Sequence, residues 1–175
     1  GNRTYIISGN GRPPSLVAIR PERDTVIVVN APDREHSRKI IELLSANGVA
    51  RIDKLYCTEA VMRYIEGASY IFSYFDCANL IFLSNPALSP YAKIASLKAV
   101  ENGVKVKTLS DNDRKSGRRN MFNNSTTVIR PYADELITFH QFRSGGRMFR
   151  IESDGKKINV ELDNHLKLKL KEIIH

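Results

Sequence analysis

The chain reads as short apolar runs separated by polar turns that carry glycine and proline. Residues 4–8 (TYIIS) form a first predicted strand, which ends in Gly9-Asn10-Gly11-Arg12-Pro13-Pro14, and residues 15–20 fit either one turn of helix or a second strand. Residues 25–30 (TVIVVN) are β-branched and apolar on both faces, as in a strand covered on either side. Pro32 or Asp33 then starts a helix to about Asn47. Ile40, Ile41, Leu43 and Leu44 share one face, Arg34, Glu35, Arg38 and Lys39 the other, and Gly48 stops it.

The same alternation continues with a strand at 52–57, a helix at 59–75 capped by Thr58, and a buried strand at 78–83. Pro90 opens a further helix that Gly103 closes, and residues 104–109 form a fifth strand. This order implies right-handed crossovers and an α/β fold, a doubly wound, mostly parallel Rossmann-like sheet. Beyond residue 109 the pattern changes. Residues 110–125 have no apolar period, 132–142 read as a short helix, and Gly145-Gly146 breaks the chain before a hairpin. The arms of that hairpin are 147–152 and 157–162, joined around Asp154-Gly155. Asp163 or Asn164 then caps a last helix bearing Leu166, Leu168, Leu170, Ile173 and Ile174. The expected organisation is a Rossmann-like domain at 1–109, a flexible basic loop at 110–125, and a C-terminal helix–hairpin–helix appendage at 126–175 on the same domain. Some fifty residues make too small a core to stand alone.

Composition narrows the class. At 175 residues, with 42% hydrophobic and 26% charged positions, the chain can bury an ordinary core without a staple. Cys57 and Cys77 stand apart, and His36, His140, His165 and His175 have no ligand spacing, so neither a disulfide framework nor a metal site is expected. With no signal-peptide pattern, two isolated thiols favour a reducing, cytoplasmic setting. No apolar run approaches the ~20 residues of a membrane span, and no membrane partner is expected.

Charge adds a second partner class. The net charge is +8, with 12 Lys or Arg against 9 Asp or Glu in residues 1–100 and 15 against 10 in residues 101–175. The densest stretch holds Lys105, Lys107, Arg114, Lys115, Arg118, Arg119 and Arg130, and the hairpin adds Arg147, Arg150, Lys156 and Lys157. Such clusters attract phosphate backbones, so RNA or DNA is one candidate partner, and a solvated basic surface is the plainer account.

Three loops carry candidate ligand chemistry. In the first, Ser8, Gly9, Asn10, Gly11, Arg12 and Ser15 combine close backbone approach, neutral hydrogen bonds and a planar cation. The second, 84–90, supplies Ser84, Asn85 and Ser89 before a helix whose first turn holds Lys93, a setting that favours an anion; Ser89 is equally an ordinary cap. In the third, Asn30 or Asp33 could meet a ribose hydroxyl, and both are also normal cap and turn formers. No nucleophile, base and orienting acid come together, so no catalytic residue is assigned. No cofactor is implied.

Taken in order, ISGNGRPPSLVAI, RDTVIVVNAP and ANLIFLSNPALSPYAKIASLKAVENGVKVKTL resemble the CRISPR-associated Rossmann-like (CARF) domains over residues 4–109. That resemblance implies a homodimer binding a cyclic oligonucleotide with its first and fourth loops, as a sensor or ring nuclease. Ser8, Asn10 and Arg12 would fall in one loop and Ser84, Asn85, Ser89 and Lys93 in the other. One large branch reads Thr-Gly-Gly-Thr-Lys in the second loop, and here only the lysine has a counterpart. GNG, PSL and the later VN are similar to bacterial lipooligosaccharide sialyltransferases, which implies a small glycosyltransferase. ANLIFLSNPALSPYAKIASL resembles nucleoside deoxyribosyltransferases and TIR domains, but no acid stands near Ala95 or Ser96, where their glutamate would be. The leading expectation is a protein that binds a nucleotide or other phosphate ligand. A nucleic-acid-binding protein and a sialyltransferase-like enzyme are the alternatives.

Overall fold

The computed structural model describes residues 1–109, 115–116 (backbone only), 125–142, 144–162 and 166–174. The chain divides into two compact units, Gly1–Thr108 with His165–His175, and Leu109–Asn164.

The first unit begins with β1 (Arg3–Gly9) and β2 (Arg12–Arg20), a hairpin closed by Asn10 and Gly11. Both turn residues have positive φ, 57° and 63°, which the two-residue type I′ turn demands and an Asn-Gly pair supplies. Residues 15–20 are therefore strand. Pro13 and Pro14 are tolerated because they lie where the β1 register shifts, before β2 starts pairing with its other neighbour at Leu16. β3 (Thr25–Val29) runs antiparallel to β2 and leads into α1 (Arg34–Ala46). β4 (Arg51–Cys57), the short α2 (Met62–Ile65), α3 (Ala68–Tyr74), β5 (Asp76–Phe82), α4 (Pro90–Glu101) and β6 (Lys105–Thr108) follow.

The seven-stranded sheet has the order β12-β1-β2-β3-β4-β5-β6, with β12 at Lys169–Ile173. β3 to β6 are parallel neighbours, whereas β12, β1, β2 and β3 pair antiparallel. This overturns the doubly wound, mostly parallel Rossmann-like sheet. A doubly wound sheet needs its strand order to reverse, so that right-handed crossovers put helices on both faces. Here the order from β3 to β6 advances in one direction, which keeps α1, α3 and α4 in one layer where neighbours touch. Among the described residues, strand outweighs helix, 47% to 25%.

Three predicted helices also change. The one expected at 59–75 breaks at Gly67 into α2 and α3. The 132–142 helix is replaced by β9 (Glu135–Gln141), whose Ile137 and Phe139 lie opposite Ile151 and Phe149. The last helix is replaced by β12, in which Leu170 lies opposite Ile7 and the buried Ile173 opposite Thr4. The predicted helix–hairpin–helix appendage thus holds strands and turns and no helix among its described residues.

The core of the first unit is built on Ile6, Ile7, Leu16, Val17, Ile27, Val28, Ile40, Leu44, Ile52, Leu55, Leu80 and Phe82, each at most 1% exposed. Burying each such side chain stabilises by about 1.5–3 kcal/mol. Both sheet edges carry exposed lysines two residues apart, Lys105 and Lys107 on β6 and Lys169 and Lys171 on β12, which deter edge-to-edge pairing.

The second unit is a five-stranded antiparallel sheet, β11-β10-β9-β8-β7, from β7 (Lys115–Ser116), β8 (Ser125–Tyr132), β9, β10 (Arg147–Ser153) and β11 (Lys156–Leu162). The hairpin expected around Asp154-Gly155 is present, with φ of 51° and 75° at the turn and Ser153 opposite Lys156. Cross-strand partners Ile129, Ile137, Phe139, Phe149, Ile151 and Val160 are buried, and the Phe139 and Phe149 rings lie 4.8 Å apart.

Candidate functional site

β1, β3, β4 and β5 all point the same way, so the turns that follow them open on one edge of the first sheet. Distance then separates them. At about 4.8 Å per strand, the turn after β3 lies roughly 10 Å from the β1 turn, and the turn after β5 roughly 19 Å. A groove of about 850 Å³ opens on this edge, lined by Asn10, Gly11 and Arg12, by Asp33, Arg34 and Glu35 at the start of α1, by Glu66, Gly67 and Tyr70, and by Leu166. Ser84, Asn85, Ser89 and Lys93 are not in its lining.

Asp33 organises one wall. It caps α1, its Oδ1 accepting from the His36 amide at 2.8 Å and lying 2.7 Å from His36 Nδ1. Burial alone would push the Asp33 carboxyl up. The His36 ring and amide, the His36 charge and the Asn10 side chain outweigh it and hold the carboxyl below its ordinary value. An ionised carboxylate can only accept, so His36 Nδ1 is the donor in this pair. His36 is fully buried, Nε2 has no partner among the described residues, and the ring is not in the groove lining. The pair therefore positions a helix, and among the described residues it meets no nucleophile.

The opposite wall comes from the hairpin turn. Arg12 Nη2 pairs with Glu66 Oε2 at 3.0 Å, while Nη1 is buried without a partner among the described residues. Arg63 donates to the Gly11 carbonyl at 2.6 Å, holding the turn against the segment after β4. Arg34 lies over the Tyr70 ring, 5.2 Å from its centroid. Gly67 closes the floor: its amide donates to the Ala31 carbonyl at 2.8 Å, and an added Cβ would stand 2.1 Å from the Asp33 carbonyl oxygen. The lining thus mixes Arg12 and Arg34 with Asp33, Glu35 and Glu66, so it can meet one anionic group together with hydroxyl or amino donors.

The other predicted ligand residues have local tasks. Gly9 packs on the chain itself, since a Cβ there would stand 2.2 Å from the Lys167 carbonyl oxygen. Ser8 pairs with Lys169 in β12. Ser15 is fully buried, and its hydroxyl has no partner among the described residues. Asn30, at φ 64°, ties β3 to β4: its side chain donates to the Thr58 hydroxyl at 3.0 Å and accepts from the Thr58 amide at 2.9 Å. Ser84 accepts from the Ala60 amide at 2.9 Å, Asn85 from Ala87 at 3.0 Å, and Ser89 caps α4 through Ala92 at 3.1 Å. Lys93 is exposed on α4.

Of the predicted basic surface, Arg114, Arg118 and Arg119 lie outside the described residues, as does the side chain of Lys115. Lys105 and Lys107 are exposed on β6 in the first unit. In the second, Arg130 donates to the Ala133 carbonyl, Arg150 to Asn159, and Lys157 lies 4.0 Å from Glu152, while Lys156 is exposed and Arg147 is partly buried and engaged. Burial, and then the Arg150 charge, lower the His140 pKa. Among the described residues no group of three or more His, Cys, Asp or Glu side chains is placed to hold a metal ion, and no helix is long and apolar enough to cross a membrane.

Glu66, Gly67 and Tyr70 were hidden inside the helix expected at 59–75, although a glycine within a helical pattern is itself a sign of a break. Arg34 and Glu35 read only as the polar face of α1.

No protein-family model matches the sequence, and no curated protein matches it. Among solved structures, the chain is similar to a metallo-beta-lactamase of Cronobacter sakazakii (Enterobacter sakazakii) described by its HARLDQ motif, at 14% identity and TM-score 0.44, over 83% of this chain and 59% of that one. Two mutants of that motif are similar at 13% identity and TM-score 0.43, over 82% and 79% of this chain and 59% and 55% of theirs. The chain spans less than two thirds of each, and a likeness at this level carries no conclusion about its chemistry.

Proposed function

We propose that the first unit binds a small ligand of the nucleotide class, with one phosphate-type group and several hydrogen-bond donors, in the groove beside Arg12. The observation that carries this reading is Arg12, which lines the groove: Glu66 takes one terminal nitrogen of its guanidinium, and the other terminal nitrogen is buried without a partner among the described residues. A buried, unpaired donor on a cation is costly, and an anionic oxygen of a ligand would satisfy it. Tyr70 and Arg34 offer a planar surface for a base, and Asp33, Glu35 and Glu66 offer acceptors for ribose hydroxyls or base amino groups. The mixed charge of the lining favours a mononucleotide over a polyanion. Both cysteines are free and buried, in keeping with a reducing compartment, and we place this work in the cytoplasm.

The test is a thermal-shift screen with AMP, GMP, CMP, UMP and their diphosphates against the wild type, Arg12→Ala and Arg34→Ala. A nucleotide at 100 times its dissociation constant should add about 2.7 kcal/mol to the wild type and much less to either variant. No shift with any nucleotide, or an equal shift in all three proteins, overturns the reading.

A further inference from the structure

Asp33, Glu35 and Glu66 all line the groove, and two of them are engaged, Asp33 by His36 and the Asn10 side chain, Glu66 by Arg12. Glu35 is exposed and has no hydrogen-bond partner among the described residues. Arg34, the residue before it, lies over the Tyr70 ring, and that ring is itself held: Tyr74 lies 4.7 Å away, centroid to centroid, and Arg38 hydrogen-bonds its hydroxyl. A guanidinium backed by a held ring is a platform on which a flat base can stack. The sugar of a nucleotide lies between its phosphate and its base. Glu66, paired with Arg12, stands at the phosphate end, whereas Glu35 adjoins Arg34 and the base platform.

We infer that Glu35 selects guanine, so that the groove takes a guanine nucleotide; this rests on the reading of the groove as a nucleotide site. An ionised carboxylate accepts hydrogen bonds through two oxygens and donates none. Guanine alone among the common bases answers it with two adjacent donors, its N1–H and its 2-amino group. Adenine and cytosine set a ring-nitrogen acceptor beside their amino group, and uracil flanks its N–H with carbonyls on both sides. Each of these would bring a lone pair against a Glu35 oxygen, and it is such a mismatch as much as the good match that makes a site selective. Asn10 and the oxygens of Glu66 that Arg12 does not use are left for the ribose hydroxyls.

The experiment is isothermal titration calorimetry of GMP, IMP, AMP and 2′-deoxy-GMP into the full chain and into Glu35→Gln, IMP being GMP without the 2-amino group. The wild type should bind GMP about tenfold or more tighter than IMP or AMP, as a bidentate pair to a base edge discriminates, and 2′-deoxy-GMP within about threefold of GMP, since Glu35 does not read the sugar. An amide offers one acceptor beside one donor, the pattern that matches adenine. Glu35→Gln should therefore weaken GMP about tenfold or more and tighten AMP about threefold or more. Equal affinity for GMP and IMP, a loss confined to 2′-deoxy-GMP, or an unchanged ratio of GMP to AMP affinity in Glu35→Gln overturns the inference while nucleotide binding stands. Binding of none of the four overturns both the inference and the reading beneath it.

Discussion

Replacing Asp33 tests whether the groove wall is built as described. Asp33→Ala removes the α1 cap, worth about 1 kcal/mol, and leaves the Nδ1–H of His36 buried and unpaired, worth about 1–3 kcal/mol more, so the loss at neutral pH should be roughly 2–4 kcal/mol. Asp33→Asn keeps a capping oxygen of nearly equal worth and an acceptor for Nδ1–H, and loses only the charge-assisted part, about 1 kcal/mol. The pH dependence has a definite sign. The carboxyl titrates below its ordinary 3.8 in the fold, so its contribution is fully present above the unfolded value and disappears as pH falls through the folded one. The gap between wild type and Asp33→Asn should therefore be flat above about pH 5 and close as the pH falls below the ordinary carboxyl value. Because the chain has no tryptophan, urea unfolding is best followed by far-UV circular dichroism, with the midpoint moving and the slope unchanged. An Asp33→Ala variant within about 0.5 kcal/mol of wild type at pH 7 would refute the account, as would a gap between wild type and Asp33→Asn that widens as the pH falls.

Glycine substitutions give predictions of contrasting sign. Gly67→Ala would ordinarily stabilise the start of a helix by up to about 1 kcal/mol, yet here it should destabilise by about 1–3 kcal/mol, because its Cβ meets the Asp33 carbonyl and one of the two must move. A melting temperature at or above that of the wild type would contradict this. Gly11→Ala should cost about 1–2 kcal/mol, the strain of a left-handed residue in open space, whereas Gly9→Ala should cost more, since it adds a clash with Lys167 to a φ of 132°. Equal denaturation midpoints for the two variants would show that the β1 turn does not lie against residue 167.

Periodicity locates most strands and helices of the first unit, because their apolar faces are long and cleanly bounded by Gly48, Pro90 and Gly103. It does not say which strands are neighbours. The helices at 34–46 and 90–101 are equally compatible with a sheet wound in one direction or in two. The choice is fixed by β1 and β2, which return on themselves through Asn10-Gly11. That pair carries the same hairpin signal as Asp154-Gly155, but the prolines after it read as the end of a strand and obscured it. At the other end of the chain the alternation Leu166, Leu168, Leu170 has a strand's period, and grouping it with Ile173 and Ile174 as a helical face was the wrong period.

The site shows the same division between local pattern and pairing. Residues near strand ends were legible as a rim, since a strand's direction follows from its neighbours, but the separation of Arg12 from Lys93 depends on how many strands stand between them. The missing wall is a matter of one residue. An unbroken helix over 59–75 would run about 25 Å in a straight line. With glycine at 67 the chain instead turns where its backbone can touch Asp33, and Glu66 is delivered to Arg12. A larger residue there would deny that approach, so the pairing of Arg12 with Glu66, and the buried nitrogen it leaves unpaired, depends on the absence of a side chain at a position that no charge or motif marks.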